Sequence, residues 1–152
     1  MADHPTISLV TLKSSLFDAG IDIEKADRGF TTKLYALLSR PWLSLEFSRY
    51  WTDTKQSFAY SYTFGSQVCH HFAQGCAVFA GLCYDSTPDR PKDAACCFGE
   101  MWYTTDAGVP HAINFAFVWE NEKPVFVAFE PQASQIIQLS EKERNSCVFV
   151  RV

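Results

Sequence analysis

The feature that most constrains the fold is the apolar stretch from Tyr62 to Cys83. Within it, Phe72, Cys76, Phe79 and Cys83 recur at the three- and four-residue intervals of a helix with one buried face. The stretch therefore predicts the central helix of the fold, around which the remaining elements pack.

The start of this helix is a candidate reactive position. Ser66 is a suitable N-cap, which would put Cys69 in the first helical turn. Unpaired backbone N–H groups and the positive end of the helix dipole favour an anion there, so a thiol ionises more easily. Cys69 is thus a candidate nucleophile, and the alternative is a small buried helix cysteine like Cys76.

Length and charge limit the function classes. A chain of 152 residues is expected to form one domain, 1–152, with a hydrophobic core of its own. The net charge of −4 argues against a nucleic-acid partner. Because no secretory signal and no membrane-spanning stretch is visible, we expect no membrane partner, a cytoplasmic location and six reduced cysteines.

The first third of the chain predicts helices. Ile7–Gly20 has the pattern of a short helix closed by its final glycine, and Thr32–Ser39 has a second helical pattern stopped by Pro41. The period of Trp42–Trp51 does not distinguish a helix from a strand. The sequence therefore predicts a helical N-terminal part, residues 1–57.

The rest of the chain, residues 58–152, predicts the central helix followed by a sheet. His111–Trp119 and Val125–Glu130 have the pattern of a hairpin, Ala95–Tyr103 that of a further strand, and Ser146–Val152 that of an edge strand. Helices first and strands afterwards indicate the α+β class, with helices packed on an antiparallel sheet and the nucleophile at the N-terminus of the central helix.

A thiolate nucleophile needs a base, and the base needs an orienting group. His70 and His71 adjoin Cys69 on one helix and point away from it, which leaves His111 at a strand start, with Glu130 at the next strand's end as the third member. His111 and Glu130 lie on the same face of the sheet only if the residue numbers that pair across their two antiparallel strands add up to an odd number. Each also has a plainer interpretation, as a capping histidine and a solvated strand end.

Three further residues are candidates for supporting the catalytic group, and each also has a plainer interpretation. Gln67 can donate to an oxyanion together with the backbone N–H of Cys69, and Asn114 and Gln132 either support the site or tie loops together. Adjacent cysteines and histidines lack the spacing of zinc ligands, so no metal site is expected.

Three short motifs resemble a known family. Cys69-His-His-Phe-Ala73, His111 to Asn114, and Phe129 to Gln132 occur in the order found in the papain-like cysteine protease domain at the carboxyl end of the Marasmius oreades agglutinin, and in its single-domain relatives from bacteria and phages. The resemblance implies a papain-like fold, a triad of Cys69, His111 and Glu130, peptide-bond hydrolysis, and a peptide or protein substrate as the partner.

The resemblance also implies activation by calcium or manganese. His70 and His71 stand where that family has acidic residues, and hard cations prefer oxygen ligands, so we expect no required cofactor. The leading hypothesis is a cysteine peptidase, a papain-like thiol hydrolase. The alternatives are a transglutaminase-type acyltransferase and a catalytically inactive papain-like binding or inhibitory module.

Overall fold

The computed structural model describes residues 5–30, 32–58 and 68–152. The elements are, in chain order, β1 (Thr6–Ser8), α1 (Leu9–Asp18), β2 (Asp27–Gly29), β3 (Leu34–Ala36), a π-helix (Trp42–Phe47), α2 (Ser48–Ser57), α3 (Cys69–Asp85), β4 (Ala95–Cys96), β5 (Phe98–Thr104), β6 (Pro110–Glu120), β7 (Lys123–Glu130), β8 (Gln135–Ile137), α4 (Glu141–Asn145) and β9 (Phe149–Arg151).

A six-stranded sheet in the order β2-β9-β5-β6-β7-β8 dominates the fold. The predicted hairpin is confirmed as β6 and β7, which pair in antiparallel fashion from Asn114↔Phe129 to Glu120↔Lys123. Its turn residues Asn121 and Glu122 both have positive φ, at 50° and 61°, as a two-residue turn that matches the strand twist requires.

Both faces of the sheet are buried, and successive side chains of each strand point alternately to one face and the other. On the α1 face, Ile113, Phe115 and Phe117 of β6 pack with Leu12 and Leu16 of α1. On the other face, the α3 face, β6 presents Ala116 and Val118 to residues of α3 and α2. Because successive side chains of a strand point to opposite faces, this one strand contributes to both cores.

The predicted fold class is wrong in its sheet. β2 pairs with β9 in parallel, and β9 lies between β2 and β5 rather than at an edge. A second sheet, β1-β3-β4, also contains a parallel pair, β3 and β4. The sheets are therefore mixed, and strands precede as well as follow the helices. Strands of two or three residues are too short to show a period of two in the sequence.

The helix predicted over Thr32–Ser39 is also wrong, since this segment contains β3. The residues from Tyr35 to Leu38 are all buried in succession, whereas a surface helix buries only one stripe. β3 pairs with β1 on one side and β4 on the other. These long-range pairings override the local helical pattern.

The first predicted helix is confirmed in part. α1 begins at Leu9, after β1, and buries Leu12 and Leu16 completely. Gly20 closes it with φ at 86°, a conformation that glycine adopts without steric strain. Trp42–Trp51, which the period left undecided, is helical throughout, as the π-helix followed by the start of α2.

The central helix is confirmed as α3. It begins at Cys69, and its N-cap is Val68, which makes no side-chain capping bond. Ser66, the predicted N-cap, lies outside the described residues. Phe72 and Cys76 are buried as predicted. None of the described helices has both the length and the apolar character that crossing a bilayer requires. One domain over 1–152 stays a prediction.

Candidate functional site

The structure brings His111 and Glu130 together. β6 and β7 pair Asn114 with Phe129, positions that sum to an odd number, so His111 and Glu130 share a face of the sheet. Glu130 lies diagonally across from His111, and its Oε2 is 2.7 Å from the imidazole Nε2. The strand register thus positions the predicted base beside the predicted orienting group.

Glu130 is held from a second side. Its Oε1 accepts a hydrogen bond from the backbone N–H of Gln132 at 3.0 Å, so Gln132 supports the carboxylate through its main chain. The carbonyl of Pro131 accepts hydrogen bonds from Trp51 Nε1 at 2.7 Å and from Lys55 Nζ at 3.0 Å. Helix α2 therefore fixes the turn that carries Glu130, and burial lowers the pKa of Lys55.

Tyr103 is the neighbour of His111 on the adjacent strand β5. The centroids of the two rings lie 5.9 Å apart. Burial raises the pKa of Tyr103 to about 12, and the nearby Glu143, Glu130 and Cys69 add to the increase. Within the described residues, no hydrogen bond joins Cys69 to His111. The sequence alone does not single out Tyr103, because its place beside His111 depends on the β5–β6 register.

Cys69 itself is partly exposed at the first position of α3. Its helical neighbours turn elsewhere, as predicted: His70 packs on Trp102 with ring centroids 5.9 Å apart, and His71 is exposed. No cluster of three or more potential metal-ligating side chains occurs among the residues that the structure describes.

Asn114 links α3 to the sheet by hydrogen bonds. It is completely buried, and its Nδ2 donates to the carbonyls of Ala73 at 2.8 Å and Gly99 at 2.9 Å. Since it lies on the α3 face, whereas His111 lies on the α1 face of the same strand, it does not contact the imidazole pair directly. Gln67 lies outside the described residues.

A cleft of about 610 Å³ opens on the α1 face, and we call it the α1 cleft. One wall is a polar stripe of α1 consisting of Thr11, Ser14, Ser15 and Asp18, which follow the spacing of a single helical face. Its floor consists of β7 and β8 residues, among them Phe126, Ala128 and Ile137. The sequence alone does not indicate this cleft, since a polar stripe on a helix is usually a solvated surface.

Three cationic side chains line the α1 cleft, together with the carboxylate of Asp18. Arg40 forms a two-point ion pair with Glu120, through Nε to Oε1 at 2.5 Å and through the terminal guanidinium nitrogen to Oε2 at 3.0 Å. Lys123 is exposed at the same end. Arg144 donates to the carbonyl of Leu139 at 2.5 Å at the other end. Cys69, His111 and Glu130 do not line this cleft.

Comparisons with known proteins give a structural likeness. The sequence matches no protein-family model and no curated protein sequence. A structure described as a PSL1a–E64 complex superposes with a TM-score of 0.72 at 15% identity, covering 97% of this chain and 51% of that chain. A structure of Polyporus squamosus lectin bound to the human-type influenza-binding epitope Neu5Acα2-6Galβ1-4GlcNAc gives 0.69 at 15% identity, covering 97% and 49%.

The likeness shows a shared fold, and this chain spans about half the length of the matched chains. It corrects the resemblance to the papain-like protease domain, because one of the matched structures is described as a lectin bound to a glycan and neither as a peptidase. The same finding overturns the predicted papain-like fold, the cysteine peptidase function with its papain-like and transglutaminase-type alternatives, and the peptide or protein substrate.

Proposed function

We propose that this chain binds carbohydrate and that the α1 cleft is its binding site. The observation that carries the proposal is the cleft itself, a concave site with one polar wall and an apolar floor. The fold likeness to a lectin structure with a bound sialylated trisaccharide supports the choice of ligand class. The cleft's size lies in the range of about 300–1,000 Å³ that is usual for small-molecule sites.

The chemistry of the α1 cleft suits a sugar ring, which has hydroxyl groups around its edge and C–H groups on its faces. Thr11, Ser14 and Ser15 offer hydroxyls that both donate and accept hydrogen bonds. Phe126 and Ile137 are half-buried and present apolar surface to the cleft. A ring placed between the two walls would satisfy its hydroxyls on α1 and pack its C–H face on β7 and β8.

The rim cations support a ligand with negative charge. Lys123 and Arg40 lie at one end of the α1 cleft and Arg144 at the other. Arg40 is already paired with Glu120, so Lys123 and Arg144 are the cations that can meet an anionic ligand, and cations near a binding site also speed the approach of an anion. A sialylated glycan fits this arrangement better than a neutral one.

The test is titration of the protein with Neu5Acα2-6Galβ1-4GlcNAc, followed by NMR at the backbone amides of the residues that line the α1 cleft, so that binding elsewhere on the protein is not counted. The double variant Thr11→Val and Ser14→Ala keeps the shape of α1 but removes two hydroxyls, and we expect it to weaken binding about tenfold. Val10→Ala, a change at a 78% exposed position of the same helix, is the matched control and leaves affinity unchanged. No measurable binding by the unaltered protein, or equal affinity in the double variant, would overturn the proposal.

We also propose that Cys69, with His111 and Glu130, forms a nucleophilic thiol site. The observations in favour are the place of Cys69 at the start of α3 and the 2.7 Å contact of His111 with Glu130. A carboxylate that holds an imidazole in one orientation prepares it to act as the base for a nucleophile. We expect His111→Gln to slow alkylation of Cys69 by iodoacetamide about tenfold at pH 7, and an unchanged rate would contradict this role.

A cytoplasmic location is part of the proposal. Its support is that all six cysteines are unpaired in the structure, as is usual for proteins kept in a reducing compartment. Fractionation of cells that express the native chain tests it, and recovery of the protein in the secreted fraction would contradict it.

A further inference from the structure

An exposed cluster on the α3 face has the chemistry of a second binding site. Its surface consists of the partly exposed residues Trp102, Phe149 and Arg151, with Glu100 buried beneath them, and we call these four residues the Trp102 platform. The Trp102 and Phe149 rings lie 4.8 Å apart, and the guanidinium carbon of Arg151 lies 5.9 Å from the centre of the Phe149 ring. Strand pairing sets these residues side by side, since Trp102 lies opposite Phe149 and Glu100 opposite Arg151.

Glu100 fixes both functional groups of the Trp102 platform. Only 1% of its surface is exposed, and its two oxygens accept hydrogen bonds from Trp102 Nε1 at 3.0 Å and from an Arg151 guanidinium nitrogen at 2.6 Å. The indole ring and the guanidinium therefore keep a fixed spacing without a ligand. Preorganisation of this kind lowers the entropy lost when a ligand binds.

The side of the platform that meets solvent is aromatic and cationic. Trp102 is 36% exposed, and the side chain of Arg151 is 48% exposed, whereas the carboxylate that neutralises it is buried beneath. Arginine has five N–H donors in a planar fork, and Glu100 accepts from one nitrogen, so the guanidinium retains donors for a second anion.

We propose that the Trp102 platform binds a pyranose that carries a carboxylate. The C–H face of the sugar packs on the exposed indole of Trp102, and its carboxylate accepts charge-assisted hydrogen bonds from Arg151. A neutral sugar makes only the first contact, and a small inorganic anion makes only the second. The combination therefore selects acidic sugars over both.

This site is separate from the α1 cleft, because the Trp102 platform lies on the opposite face of the sheet. Its residues are also distinct from the predicted thiol site, although His70, the neighbour of Cys69, packs on Trp102. The inference therefore goes beyond the proposed function, and the two can fail independently.

The test is an NMR titration that follows the indole Nε1–H signal of Trp102, assigned with the variant Trp102→Phe. Methyl β-D-glucuronide is the probe, and methyl β-D-glucoside, which lacks the carboxylate, is its matched control. We expect saturable shifts with the glucuronide, with an affinity at least about tenfold above that of the glucoside. Equal shifts with the two glycosides, or no shift with the glucuronide, would overturn the proposal.

A variant assigns the carboxylate contact to Arg151. Arg151→Gln should weaken the glucuronide about tenfold and leave the glucoside unchanged, whereas Arg49→Gln, a change of an exposed arginine over Tyr50, should alter neither. The α1 double variant Thr11→Val and Ser14→Ala should leave the Trp102 shifts intact. Loss of the Trp102 shifts in that double variant would instead assign the sugar to the α1 cleft and contradict the platform.

Discussion

The two faces of the six-stranded sheet are built from the same strands but differ in how far they are closed. On the α3 face, Phe47, Phe98 and Phe129 form a continuous aromatic core, with ring centroids 5.2 to 5.9 Å apart. On the α1 face, the helix turns short polar side chains toward β7 and β8, and the α1 cleft opens there. The comparison shows that the covering helix, more than the sheet, decides where the fold leaves room for a ligand.

The largest expected effect is a difference in stability between two alanine variants of β7, one at a phenylalanine on each face of the sheet. Phe129 is completely buried on the α3 face, so Phe129→Ala should lower the free energy of unfolding by about 3–5 kcal/mol. Phe126 is half-buried at the α1 cleft, so Phe126→Ala should lower it by about 1–2 kcal/mol. Urea unfolding monitored by circular dichroism measures both.

The two alanine variants, Phe129→Ala and Phe126→Ala, are controls for each other. Both substitutions remove the same atoms from β7, so a difference between them reflects burial rather than strand propensity. Equal losses of stability would show that the α1 face is as closed as the α3 face, which would contradict the cleft.

The second effect concerns the hydrogen bonds by which Asn114 links α3 to the sheet on the α3 face. Asn114→Ala removes two buried hydrogen bonds to Ala73 and Gly99, and we expect the unfolding free energy to fall by about 2 kcal/mol. Asn114→Asp is the control that keeps the shape but removes the amide donors. Full stability in either variant would show that α3 does not depend on these hydrogen bonds.

The sequence was sufficient to predict α3, from its helical period, and the β6–β7 hairpin, from two apolar segments separated by the polar link Glu120 to Pro124. It was insufficient for β2 and for the place of β9 inside the sheet, because the parallel pairing of β2 with β9 joins residues far apart in the chain. β3 was predicted as a helix because local propensity does not register pairing with β1 and β4. The His111–Glu130 contact was predicted from its chemistry, but its register was visible only in the structure.

The third effect is a loss of folding stability at alkaline pH, caused by cysteine thiols that are buried in the core of the α1 face. Burial raises the pKa of Cys97 from 9.0 to about 12 and that of Cys147 to about 11. Unfolded thiols lose their protons near pH 9, whereas the folded ones retain them, so stability should fall as the pH rises from 9 toward 12.

Urea unfolding at a series of pH values measures this dependence, and Cys147→Ala should reduce its slope. A pH-independent unfolding free energy between 9 and 11 would contradict the burial of these thiols.

The smallest effect lies at the rim of the α1 cleft. The hydrogen bond from Arg40 lowers the pKa of Glu120, so the pair stabilises the fold above the ordinary carboxyl pKa and is lost as the pH falls through the lowered value. Because the pair is partly exposed, Arg40→Met should reduce stability by less than about 1 kcal/mol at pH 7. A loss of several kcal/mol would indicate that this rim supports the core.

The most direct test of carbohydrate binding on the open face is an NMR map of the protein with Neu5Acα2-6Galβ1-4GlcNAc. The account predicts that the largest shifts fall on the backbone amides of Thr11, Ser15 and Phe126, with Phe72 and Cys76 of α3 unchanged. Shifts confined to α3, or none at saturating glycan, would contradict it.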